Sequence, residues 1–101
     1  MLYSFMLLDK PGASDQRLQM RPLHKAYLAQ VESRIAFAGP LTSDDGLAMV
    51  GSLLVIDFDS RKEAQAWLHA EPFNGSGLYA STSVHAFVNL WPQKAGFPAN
   101  L

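Results

Sequence analysis

No cysteine occurs among the 101 residues. Its absence excludes a disulfide framework, a thiolate metal site and a cysteine nucleophile, and it makes a reducing compartment, the cytoplasm, the expected setting. Charge of either sign is sparse: eight Lys and Arg stand against nine Asp and Glu, for a formal net charge of −1. The basic residues are scattered, so the continuous basic stripe that follows a phosphate backbone is missing and nucleic acid is not an expected partner. Long apolar runs are lacking as well. None approaches the roughly 18 residues of a membrane span, so no membrane partner is expected. The opening MLYSFMLLDK has neither the basic flank nor the small-residue cleavage site of a secretory signal, and it reads as a strand. The three histidines form no i, i+4 pair and no clustered ligand spacing, so no metal site is expected. Repeats, low-complexity segments and interdomain linkers are absent too, which leaves one domain over residues 1–101.

What is present is a core. Apolar residues make up 49% of the chain and aromatic ones 11%, well inside the globular range. Residues 2–8 form an apolar strand that ends at the turn sequence DKPG. A helical pattern follows from Ser14 to about Arg34, expected in two pieces because Pro22 disfavours helical geometry at Arg21. Ile35 to Ala38 reads as a short strand closed by Gly39-Pro40, and VGSLLVIDF as a third strand. Ser60 and Glu63 make a capping box that opens a helix reaching about Ala70. NGSG is a loop, Leu78 to Trp91 is a long last strand with Val84, Ala86, Val88 and Leu90 on one face, and 91–101 is an irregular tail.

This order, βαββαβ, is that of an α+β ferredoxin-like sandwich with two helices over one face of a four-stranded antiparallel sheet. The third strand is apolar on both faces: Ser52, Leu54, Ile56 and Phe58 alternate with Leu53 and Val55. Helices can cover only one of them. A homodimer packing sheet against sheet, a dimeric α/β barrel, is the arrangement expected to cover the other.

The stretch MRPLHKAYL puts an imidazole where a helix should bury hydrocarbon. At 100° per residue, Met20, Leu23, Tyr27, Leu28, Val31 and Ile35 span one arc and His24 falls inside it, with Arg17 on the arc and Arg21 at its edge. The topology brings the end of strand one, the start of helix one, the end of strand two, the start of strand three and the end of helix two to one edge. Asp9, His24, Gly39-Pro40, Gly51-Ser52 and Glu71-Pro72-Phe73 therefore converge, and two carboxylates lie in reach of one imidazole. A carboxylate on one ring nitrogen orients the ring and raises the basicity of the other, which suits a general base. A buried histidine with one satisfied hydrogen bond is the plainer alternative.

Asp9 closing strand one, R-x3-R-x2-H (Arg17, Arg21, His24), Gly39-Pro40, Gly51-Ser52, AQAW in helix two and EPFNGSGLY before the last strand together resemble the YCII-related (YciI-like) family, over residues 1 to about 91. The family is similar in fold to muconolactone isomerase and is described as carrying a His-Asp pair in a cleft. It includes a chlorohydroxyhydroquinone dehydrochlorinase. The resemblance implies catalytic His24 with Asp9 as its partner, Arg17 or Arg21 on a developing oxyanion, and a substrate site that also uses Ser52, Glu71 and Phe73. Where the family commonly reads Asp-Pro-aromatic, this chain has Glu71-Pro72-Phe73. The implied activity is cofactor-free lyase or isomerase chemistry on a small oxygenated ring compound; a non-catalytic ligand-binding or regulatory homodimer is the alternative.

Overall fold

The computed structural model describes residues 1–98. Along it run β1 (Leu2–Asp9), α1 (Ser14–Ala29), a 3-10 turn (Glu32–Arg34), β2 (Ile35–Thr42), β3 (Met49–Asp57), α2 (Arg61–His69), α3 (Pro72–Gly75) and β4 (Tyr79–Phe87). The strands form one antiparallel sheet in the order β2-β3-β1-β4. This is the ferredoxin-like α+β sandwich that the element order predicts. The part of the tail beyond Pro98 lies outside the described residues, and 88–98 carry no regular element.

Strand periodicity selects the core. Tyr3, Phe5 and Leu7 from β1 and Leu54 and Ile56 from β3 are buried beneath the helices. Trp67 of α2 sits among Phe5, Phe58 and Tyr27, with ring centroids 5.4, 5.8 and 5.1 Å away, and the Tyr27 hydroxyl donates to the Trp67 carbonyl at 2.7 Å. Ser60 caps α2 as its sequence predicts, accepting from the Glu63 amide at 3.2 Å. Gly51 is required where it stands, because a β-carbon there would lie 2.5 Å from the Leu7 carbonyl oxygen on the neighbouring strand.

Three elements differ from the sequence reading, α1 in two respects. α1 is one helix through Pro22, not two pieces. The proline removes only the bond to the Leu18 carbonyl four residues back, and both residues are exposed, so water can take that acceptor. The buried stripe of α1 runs through Arg17, Met20, His24, Tyr27 and Leu28, which turns Leu23 out to 58% exposure. β2 continues past Ala38 through Gly39-Pro40 to Thr42, because it is a sheet edge where the amide that proline lacks can go unpaired. β4 stops at Phe87, not Trp91: its partner there is Leu2, the first residue of β1, so Val88, Leu90 and Trp91 have no strand to pair with.

The sheet face away from the helices keeps Met6 and Leu8 about two-fifths exposed. Phe37 from one edge strand and Phe87 from the other meet edge-to-face across it, centroids 6.1 Å apart, and Val55 on this face is almost fully buried.

Candidate active site

The first two turns of α1 bring Arg17 over the end of β1. Its Nε donates to Asp9 Oδ2 at 2.6 Å, and its second terminal nitrogen donates to Asp9 Oδ1 at 2.9 Å and to Ser52 Oγ at 3.1 Å. Both side chains are buried, at 3% and 4% exposure, so the forked geometry offsets the cost of removing two charges from water. Asp9 is thereby committed to Arg17.

His24 takes a different acid. Its Nδ1 lies 2.5 Å from Glu71 Oε1, and this corrects the expectation that Asp9 is its partner. His24 follows Arg17 by seven residues, about 10 Å along the helix axis. A carboxylate bound bidentately to the guanidinium at the end of β1 therefore stays with it, whereas Glu71 at the end of α2 faces the later turn. Glu71 has a second role. Glu71 caps α3, with Oε1 accepting from the Phe73 amide and Oε2 from the Asn74 amide, each at 3.1 Å. The Tyr79 hydroxyl supplies a fourth donor, to Oε2 at 3.0 Å.

Burial acts to raise the Glu71 pKa. The hydrogen bond from His24, the two amides and the His24 charge outweigh it and hold the group below the ordinary glutamate value. Its negative charge acts on the tyrosines around it: burial first, and then Glu71, pushes the Tyr79 pKa strongly upward, and the same two causes raise Tyr27. Because an ionised carboxylate only accepts, Nδ1 carries the hydrogen in the His24–Glu71 bond. Nε2 has no hydrogen-bond partner among the described residues.

Phe73 locks the ring. It stacks on the imidazole with centroids 4.1 Å apart and planes 15° from parallel, and the Arg17 guanidinium carbon lies 4.6 Å from the same phenyl centroid. In front of the imidazole is a cleft of about 160 Å³, lined by Arg17, Arg21, His24 and Lys25 of α1, Ala38, Gly39 and Pro40 of β2, and Met49, Ser52 and Leu54 of β3, together with Leu28. Glu71 and Phe73 are fully buried and do not line it. Their expected place as substrate contacts is therefore corrected: both stand behind His24 and support it. Arg17, Arg21, His24 and Ser52 do line the cleft. Lys25 and Tyr79 were not singled out from sequence, although Lys25 stands at i+4 from Arg21 on the same ridge. The α3 turn was signalled by an acid followed by proline, the pattern of a capping residue before the first helical position.

Residues 1–88 match the YCII-related domain. The chain belongs to that family. It is 37% identical to Protein YciI of Escherichia coli and of Shigella flexneri, over 86% of this chain and 96% of each of those proteins. An uncharacterized protein of Haemophilus influenzae is 30% identical over the same shares. Among solved structures, the 5-chloro-2-hydroxyhydroquinone dehydrochlorinase of Burkholderia phenoliruptrix, in complex with 2,5-dihydroxybenzoquinone, is similar with a TM-score of 0.81 and 30% identity, over 87% of this chain and 94% of that one.

Proposed function

We propose that this member of the YCII-related family is a cofactor-free lyase or isomerase that uses His24 as general base and acid on a small oxygenated ring compound. The observation that carries the reading is the free Nε2 of an imidazole whose other nitrogen is held by an ionised, fully buried Glu71, at a cleft with apolar walls. A dry cavity of roughly 150 Å³ accepts one benzene ring, so the 160 Å³ cleft suits a single six-membered ring. The similarity to a dehydrochlorinase bound to a dihydroxylated quinone supports a substrate of that size and polarity.

In this scheme Nε2 takes a proton from a ring hydroxyl or an activated carbon. The electron pair left behind either expels chloride, so that the net loss is HCl with no change of an external redox partner, or is reprotonated elsewhere on the ring by the same nitrogen. Glu71 stabilises the imidazolium that forms, and Phe73 keeps the ring plane fixed. Arg21, which has no ion-pair partner among the described residues, is the group available for a developing oxyanion. Arg17 holds the wall through Asp9 and Ser52. The working unit is a homodimer in which a second copy covers the open face of the sheet.

The test is His24→Asn, assayed for chloride release and proton exchange on a panel of hydroxyquinols and lactones. Turnover should fall roughly 100-fold or more, the usual share of a general base, while stability stays within about 2 kcal/mol of wild type. Turnover that survives the replacement makes His24 structural.

A further inference from the structure

Arg17, Arg21 and Lys25 succeed one another at i, i+4 and i+8 along α1, and all three line the cleft. Like charges at that spacing cost a helix stability. Arg17 is relieved by Asp9. Arg21 and Lys25 have no carboxylate at ion-pair distance among the described residues, and no acidic side chain lines the cleft with them. Both are exposed whereas His24 is buried, so the two cations stand at the mouth and the imidazole at the floor. Facing them are Ala38, Pro40, Met49 and Leu54, an apolar wall that screens charge poorly and strengthens the field of the pair.

We propose that the cleft selects a small organic acid, whose carboxylate or ionised ring hydroxyl is held at the mouth by Arg21 and Lys25 while its uncharged ring rests on the apolar wall beside His24. The missing counter-charge of the ridge is then supplied by the ligand. This deepens the acid/base reading in naming the charge class of the substrate, and it relies on that reading only for which end of the ligand meets His24.

Binding calorimetry with two probes of one shape tests it: gentisate, which carries a carboxylate, and gentisamide, which does not. Wild type should bind gentisate at least about tenfold more tightly, with an advantage that shrinks as salt is added. Arg21→Gln and Lys25→Gln should each weaken gentisate about tenfold, the loss of one charge-assisted hydrogen bond, and weaken gentisamide much less, and the double variant should lose the preference. His24→Asn should keep it. Equal affinities for the two probes, no gentisate binding at millimolar concentration, or a preference that survives the double substitution overturns the proposal. The two readings fail separately. Equal affinities beside turnover that depends on His24 spare the acid/base chemistry, and a charge preference beside turnover indifferent to His24 spares only the anion site.

Discussion

Tyr79 donates its hydroxyl to Glu71 Oε2, the carboxylate oxygen opposite the one that holds His24. The phenol thus fixes the acid that holds the imidazole. Tyr79→Phe removes one of four donors, so stability should drop by about 1 kcal/mol and turnover by less than about tenfold, because His24 and two amides still hold the carboxylate. The alkaline limb carries a second signature. With its folded-state pKa raised, Tyr79 contributes stability that is complete below the ordinary 10.0 and is lost as pH climbs above it. Denaturant midpoints measured across that range should decline less steeply in Tyr79→Phe than in wild type.

Glu71 works in the opposite direction. Its folded-state pKa lies below the ordinary 4.5, so between those two values the unfolded chain binds the extra proton. The stability it contributes is complete above 4.5 and drains away as pH falls through the folded-state value. Glu71→Gln cannot titrate and places an amide hydrogen against a backbone donor. It should lose about 1–3 kcal/mol at neutral pH, flatten the acid limb of the stability profile and depress turnover as strongly as any supporting change.

The dimer should be visible in solution. Met6 and Leu8 leave apolar surface on the open sheet face, and static light scattering at micromolar concentration should give twice the 11.1 kDa chain mass. Met6→Glu should return the mass to that of one chain by placing a charge in the covered face. A wild-type protein that remains at the single-chain mass rules out the second copy as the cover.

Gly51 tests the frame that carries Ser52. Adding a methyl group forces β1 and β3 apart at the Leu7 carbonyl, so Gly51→Ala should cost about 1–3 kcal/mol. The Arg17–Ser52 contact lies one residue away and should loosen with it. Amide exchange in β1 and β3 is the measurement, with protection lost first around Leu7.

Periodicity in the sequence was enough for the four strands, the helical stretches that became α1 and α2, and the inward aim of His24, because strand alternation and the helical stripe are local consequences of which side chains avoid water. The capping box at Ser60 and the family motifs along residues 1–88 were equally legible. What local pattern could not decide was pairing. Asp9 and Glu71 are both acids delivered to one edge, and only the packed structure shows the first clamped by Arg17 and the second reaching His24 from the cap of a four-residue helix. The end of β4 and the passage of β2 through Pro40 were set the same way, by whether a neighbouring strand stood alongside. Hydrogen-bond partners distant in sequence are chosen by the competition of all donors and acceptors for one buried space. That competition exists only once the chain has folded.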